Sequence, residues 1–413
     1  MGDASMVVEE EDVKVEEFRR VTSNPCLVSI FPSEMEFGLT NNRSLVNFTT
    51  SALDFISLNV NEWRKNPFIN FGVSNNLRYR MIKCNQRLVK TILHSHGFEE
   101  CSERNSSARL IWTGVHPKLQ IFRTLKSWQR INHFPRSTEL TSKDKLYENI
   151  ARARILFGDA FDFVGFKFCE VLVPSFFVTP VDYCKAKDCF DGCAYIVKPV
   201  SSSRGNGIII VNKSEDIPLD RKLLISKYIS NPLLLNGHKF DLRIYVLVTS
   251  FYPLNAYVYG EGLARFASEE YSTDSNSFNC RMSHLTNYSI NKHNKKYVKN
   301  VQAEIDDAGH KWSLGALLRK LDEDGIDICL LMARIEDLIT KTLLSVQYRM
   351  AMESRSYISH PRLCFELFGF DILIDEDFKP WLLEVNLSPS LNWYVFSLVL
   401  TVVPFVIMDM LLA

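Results

Sequence analysis

Residues 364–391, CFELFGFDILIDEDFKPWLLEVNLSPSL, constrain the fold more than any other stretch of the chain. Two strand-forming runs, 367–374 and 380–385, flank a polar turn at 375–379, which predicts an antiparallel hairpin. Side chains alternate along a strand, so Glu384 and Asn386 share one face and Val385 takes the other. Hairpin pairing brings Asp371 within reach of that face. Two carboxylates and an amide oxygen then converge beside an apolar core, a hard donor set that suits Mg²⁺ shared with nucleotide phosphates. A hairpin with polar residues on its wet face accounts for the same residues, so the nucleotide has to be found elsewhere in the chain.

With 413 residues the chain can hold two or three domains. Hydrophobic residues make up 46% and charged residues 23%, which excludes global disorder as the ground state. The 48 basic and 48 acidic residues cancel, which rules out a globally basic nucleic-acid binder. Their distribution is uneven. Residues 1–22 read as a disordered acidic tail, whereas no acid lies between Glu62 and Glu99, a span that holds Arg64, Lys65, Arg78, Arg80, Lys83, Arg87 and Lys90. A second acid-free block runs between Glu103 and Glu139. Such blocks predict a positive face for a polyanion, or helix faces whose partners lie elsewhere in sequence. Ten scattered cysteines and no secretory leader suggest a reducing, cytoplasmic setting. Cys184, Cys189 and Cys193 have loose metal-like spacing but lack a fourth ligand nearby.

Periodicity predicts helices over 77–94, 142–157, 180–187, 314–321 and 328–353, with Ser142 or Thr141 capping the second. Strands are expected over 171–178, 194–200, 207–211, 222–229, 240–250 and 254–259. The interleaving points to an α/β or α+β architecture.

Two further segments carry chemistry. In YIVKPVSSSRGNGII a strand delivers Lys198 to a Ser/Gly loop containing Arg204, Gly205 and Gly207, able to form an anion-binding nest. It lacks the Gly-Lys-Ser/Thr of a Walker loop, and the chain has neither HRD nor DFG of a protein kinase. In HKFDLRIYV, Lys239, Asp241 and Arg243 alternate on one strand face, where burial unpaired would be costly. They face solvent or a charged ligand.

Taken in order, Lys198 with RGNG, HKFDLR, GLARF, HLTNYS, FGFDILID and WLLEVNLSPSL resemble the tubulin tyrosine ligase-like family, over residues 110–391. INHFPRSTELTSKDKLYENI, ISKYISNPLL and FDLRIYVLVTS are most similar to its polyglutamylase branch. The resemblance implies an α+β ATP-grasp fold behind a small N-terminal α/β domain. It implies domains at 23–130 (acceptor-binding), 131–235 (central) and 236–392 (C-terminal). ATP would be held by Lys143, Lys198, Arg204, Gly205, Lys239, Asp241, Thr286 and Asn287, with Ser226, Lys227, Tyr228 and Ile229 as the adenine hinge. Asp371, Glu384 and Asn386 would bind Mg²⁺. Free L-glutamate would be held by Arg265, Tyr288, Ser289 and Lys311, with Arg243 and Arg265 stabilising charge at the reacting centre. The acceptor would be a tubulin C-terminal tail, α or β, on microtubules, met by Arg204, Arg78, Arg80, Lys83 and Arg87. That places the chain in the cytoplasm on the cytoskeleton, with cilium, centrosome or basal body as sites of action, and with no nucleic-acid or membrane partner. A ligase for another amino acid or another acidic protein, and an inactive microtubule-binding protein, remain as alternatives.

Residues 393–413, WYVFSLVLTVVPFVIMDMLLA, depart from the family's polar continuation and leave the C-terminal lobe incomplete by comparison. Their length of about 20 residues matches a membrane span. Pro404 and Asp409 favour an altered chain end instead.

Overall fold

The computed structural model describes residues 72–102, 107–164, 176–178, 192–218, 220, 222–299, 307–360 and 362–389. The expected tail at 1–22, the helix at 180–187, Cys184 and Cys189, and the apolar segment 393–413 lie outside these residues. Among the described residues no helix is long and apolar enough to cross a membrane.

The strands form three sheets among the described residues. The first is parallel, in the order β2-β1-β3-β4, with β1 (Arg78–Ile82), β2 (Glu99–Glu100), β3 (Leu110–Thr113) and β4 (Arg130–Ile131). Helix α1 (Arg87–Ser95) crosses between β1 and β2, and α2 (Leu119–Arg123) follows β3. Residues 77–94 are therefore not one helix, as periodicity had suggested. In RYRMI, Tyr79 and Met81 are buried while their neighbours are half-buried, a period of two that a helix cannot satisfy. The left-handed Lys83, at φ 51°, separates strand from helix.

Helices α3 (Thr138–Thr141) and α4 (Lys143–Phe157) lead to the second sheet. Ser142 stands at the N-cap of α4 but makes no cap bond; its hydroxyl donates to Asp144 Oδ1 at 2.6 Å instead. The second sheet is antiparallel, in the order β5-β8-β6-β7, from β5 (Phe176–Val178), β6 (Tyr195–Pro199), β7 (Ile209–Val211) and β8 (Leu223–Lys227).

The third sheet contains β9 (Leu234–Leu235), β10 (His238–Phe251), β11 (Leu254–Phe266), β12 (Lys311–Ser313), β13 (Glu366–Ile374) and β14 (Pro380–Leu387). Its order is β12-β11-β10-β13-β14, antiparallel throughout, with β9 paired to β10. Short helices α5 (Arg281–His284) and α6 (Tyr288–Asn291) precede β12. Helices α7 (Leu314–Glu323) and α8 (Ile328–Tyr357) cover one sheet face, each with a side-chain cap: Ser313 accepts from Ala316 N–H and Asp327 from Leu330 N–H. Leu317, Leu321, Ile335, Leu338 and Val346 share a core with Phe240, Leu242, Ile244, Phe368, Phe370 and Ile372. Sheets with helices segregated to one face make the architecture α+β.

The alternate residues of β10 take the other face, whose character changes along the strand. Lys239 and Asp241 are buried polar positions, whereas Tyr245 and Leu247 join Tyr79, Trp112 and Leu367 in a second core beneath the first sheet. The connector after β4 is tied to β13 by Glu366, which is only 1% exposed. Its carboxylate accepts from Phe134 N–H at 3.0 Å, from the Ser137 hydroxyl at 3.1 Å and from His133 Nδ1.

Glu366→Ala strands three buried donors, and should cost about 3–5 kcal/mol in denaturant unfolding. A cost below about 1 kcal/mol would show that the connector is held by something else.

Candidate active site

The third sheet assembles its charges by register. Asp241 on β10 lies opposite Arg265 on β11, which in turn lies opposite Lys311 on β12. One step along the same face, Arg243 on β10 lies opposite Asp371 on β13, and Asp371 lies opposite Glu384 on β14. Two adjoining rows of charge thus cross the sheet. Arg265 Nε donates to Asp241 Oδ1 at 2.7 Å, and Arg265 Nη2 reaches Asp371 Oδ2 at 2.9 Å. Arg243 donates both Nε and Nη2 to Asp371, the latter at 3.0 Å. Burial alone would raise the Asp371 carboxyl, but Arg243 and Arg265 overcome it and hold the group at about 2. Gly369 makes room for this pairing: a Cβ there would stand 3.0 Å from Arg243 Cδ and 2.9 Å from Pro389 Cβ.

GLARF therefore lies inside a strand, because β11 runs on to Phe266 instead of ending near residue 259. Lys311 is pushed down to about 8 by burial and by the neighbouring Arg265 and Arg243. Three cations share a site there, and an incoming anion would relieve their repulsion.

Between the second and third sheets lies an open cleft. All twelve residues that the family resemblance assigns to ATP line it: Lys143, Lys198, Arg204, Gly205, Ser226, Lys227, Tyr228, Ile229, Lys239, Asp241, Thr286 and Asn287. Asp371 and Glu384 line it too, and Asn386 does not. Ser226 and Lys227 end β8, and the Tyr228 N–H donates to the Ala194 carbonyl at 2.9 Å, so that amide is already engaged. Ile196, Leu373 and Leu382 supply apolar walls.

The cleft concentrates buried cations. Lys198 is lowered by burial, against the pull of Glu384 and Asp371. Burial carries Lys239 down to about 7; Asp241 opposes the shift and Lys198 adds to it. Lys239 Nζ donates to the Tyr228 hydroxyl at 2.9 Å and lies 4.4 Å from the centre of that ring. The Tyr228 hydroxyl also meets His284 Nδ1 at 2.8 Å. Burial, then Lys239, lowers His284 to about 4.

For a metal, the hairpin offers the carboxylates of Asp371 and Glu384 in register, with Lys143 Nζ 3.4 Å from Glu384 Oε2. The Asn386 amide lies opposite Gly369, its Nδ2 3.4 Å from that carbonyl. No group of three or more His, Cys, Asp or Glu suited to a metal occurs among the described residues. Two carboxylates and an amide fit Mg²⁺, which takes few protein ligands and completes its shell with water and phosphate.

The other assigned residues are more dispersed. Tyr288 is exposed. The Ser289 hydroxyl donates to the Arg204 carbonyl at 2.6 Å. Arg78 approaches Glu99 at 3.7 Å, and Lys90 pairs with Glu100 at 2.6 Å, so the first acid-free block partly finds its acids on β2. Lys83 and Arg87 are exposed. Tyr147 and His284 are among the cleft residues missed from sequence. Tyr147 lies four positions after Lys143 on α4, a spacing that puts both on one helix face. His284 opens the HLTNYS motif and reads as part of it.

The profile of the tubulin-tyrosine ligase family matches residues 122–413. The chain is 47% identical over 369 residues to tubulin polyglutamylase ttll-5 of Caenorhabditis elegans, which covers 85% of this chain and 49% of that protein. It is 46% identical over 322 residues to Homo sapiens tubulin polyglutamylase TTLL5, covering 78% of this chain and 24% of the relative. Human tubulin monoglutamylase TTLL4 is 40% identical over 320 residues, 76% of this chain and 26% of that protein. The chain therefore spans between about a quarter and a half of the length of these relatives. The stretches ISKYISNPLL and FDLRIYVLVTS pointed to the same polyglutamylase branch.

The buried Lys239 makes stability depend on pH in a definite direction. Its folded value, about 7, lies below the ordinary 10.5. Between these values the unfolded chain holds the proton and the folded chain does not, so stability rises with pH. Below about 7 both states are protonated and the whole cost of burying the cation is present. Lys239→Met should therefore raise Tm, most at neutral pH and below, with the gain shrinking towards pH 10. An equal gain at every pH would contradict a titrating lysine at this place.

Proposed function

The chain belongs to the tubulin-tyrosine ligase family, and from that premise we propose that it is an ATP-dependent protein polyglutamylase. It joins L-glutamate through an isopeptide bond to the side-chain carboxylate of a glutamate in an acidic tail, tubulin's above all. The observation that carries this reading is one cleft lined by Lys198 and the Ser/Gly loop after it, by the Asp371 carboxylate backed by two arginines, and by the Glu384 carboxylate. We read the second and third sheets as the two lobes of an ATP-grasp fold. The domains at 23–130, 131–235 and 236–392 then follow as acceptor-binding, central and C-terminal units.

A carboxylate cannot acylate an amine until its oxygen becomes a leaving group. The acceptor carboxylate attacks the γ-phosphorus of ATP, forming an acyl phosphate and releasing ADP. The amine of free L-glutamate then attacks the acyl carbon, a proton leaves the nitrogen, and phosphate departs. Lys198 and Lys143 hold phosphate oxygens as point charges, and the loop's amides add fixed dipoles. Mg²⁺, held by Asp371, Glu384 and Asn386, would supply charge neutralisation at the phosphates. Arg243 and Arg265 stabilise the tetrahedral oxyanion, pre-oriented by Asp371 and Asp241 and so costing little to reorganise. Lys311, Arg265 and Arg243 also match the two carboxylates of L-glutamate. Glycine and tyrosine have only one. Tyr288 and Ser289 complete the amino-acid side of the site.

Incorporation of labelled amino acids into microtubules tests this. We expect ATP-dependent uptake of L-glutamate, reduced at least about a hundredfold by Glu384→Gln. Preference for glycine or tyrosine would reassign the branch, and uptake that survives Glu384→Gln would remove the metal assignment.

For the acceptor, Lys83 and Arg87 are exposed cations on the first sheet's side, with Arg78, Arg80 and Arg204 as further candidates. Such a surface acts on the cytoskeleton, in the cytoplasm or at cilium, centrosome or basal body. Replacing Lys83 and Arg87 by serine should weaken microtubule binding several-fold at low salt and hardly at all above about 0.3 M, where screening is strong. Unchanged affinity at low salt would place the acceptor face elsewhere.

A further inference from the structure

The loop between β6 and β7 is held by three side chains from outside its own sheet, each donating to a carbonyl oxygen. Lys143 Nζ donates to the Ser202 carbonyl at 2.8 Å. The Ser289 hydroxyl donates to the Arg204 carbonyl at 2.6 Å, and the Arg281 guanidinium donates to the Gly205 carbonyl. In a trans peptide the N–H points opposite to the C=O. The amides that follow these carbonyls are therefore turned away from the three donors. Asn206 N–H closes a turn onto the Ser203 carbonyl at 3.2 Å, which leaves the Ser203 and Gly205 amides as the ones aimed by the grip.

Arg204, Gly205 and Gly207 all have left-handed φ, at 61°, 75° and 71°. Gly205 also lies hard against the segment that carries Arg281 and Ser289. A Cβ on it would come within 2.5 Å of Ile290 Cδ1 and 2.8 Å of Asn287 Oδ1. That segment runs from α5 through α6, and Thr286 and Asn287 within it line the cleft.

We propose that Arg281 is a positioning residue for the phosphate loop, clasping it together with Ser289 so that its amides address the nucleotide. The proposal rests on the nucleotide reading of the cleft. Arg281 touches no reacting atom. It acts by holding the Gly205–Asn206 peptide, whose N–H closes the turn onto the Ser203 carbonyl, so its loss should loosen that turn, free the neighbouring amides from their aim and weaken nucleotide binding while leaving the chemical step in place. Because Ser289 also belongs to the amino-acid side of the site, the clasp joins the two substrate positions through one loop.

Two measurements on the full chain separate the clasp from the nucleotide reading. Arg204 is exposed, so trypsin cleavage of the Arg204–Gly205 bond reports the loop directly, without reference to any ligand. Arg281→Met should speed that cleavage roughly tenfold and raise KM for ATP roughly tenfold, with kcat within about twofold of the parent chain. Arg281→Lys, which keeps a donor, should fall between. Ser289→Ala, which removes the neighbouring grip, should speed the same cleavage and serves if Arg281→Met does not fold. Cleavage at the parent rate in both variants overturns the clasp. Faster cleavage with an unchanged KM for ATP overturns the positioning role. If calorimetry finds no ATP binding by the parent chain, the nucleotide reading fails and the positioning role with it, while the cleavage rates still report whether the loop is gripped.

Discussion

Asp371 is the charge on which the site depends. It is almost wholly buried, and it survives as a carboxylate because two guanidiniums reach it, Arg243 from the adjacent β10 and Arg265 from β11 one strand beyond. Removing a buried ion from water costs several kcal/mol, repaid only when geometry is good and the remaining lone pairs are occupied. Here strand register provides the geometry: Arg243 lies directly opposite Asp371, and Arg265 is anchored from its other side by Asp241. The apolar face of the same strands keeps that register, because a slip by one residue would turn Phe240, Leu242 and Phe370 out of the core. Packing on one side of the sheet and charge on the other specify the same alignment.

Much of this was legible in the sequence because period two is a local signal. The HKFDLR alternation and the hairpin at 366–387 could be read without knowing any partner. What could not be read was which charges meet. Arg243 and Asp371 are 128 residues apart, and nothing in either neighbourhood names the other. The family resemblance supplied the list of residues, but not that the arginines hold carboxylates of the chain itself. The end of β11 was misjudged because Gly260 and Gly262 resemble a turn; in the sheet the pairing with β10 is irregular there and then resumes.

The N-terminal region was harder for a different physical reason. Its acid-free blocks look like a single positive face when sequence is the only guide. In three dimensions Glu99 and Glu100 return beside Arg78 and Lys90, because a parallel sheet brings distant segments side by side. The helical reading of residues 77–94 failed because Tyr79 and Met81 point into a core made largely by other segments, which a local window does not contain.

The 14-residue strand β10 carries both environments on one face, charges at Lys239, Asp241 and Arg243, then Tyr245 and Leu247 inside the core beneath the first sheet. A strand is stiff along its length and rises about 3.3 Å per residue. The first sheet and the arginine pair are therefore mounted on one beam, like two jaws of a fixed gauge. The spacing between the first sheet and Arg243 is constant, and it is set by the length of β10. Adjustment, where binding calls for it, falls to the second sheet, most of whose buried residues pack in cores that this beam does not enter.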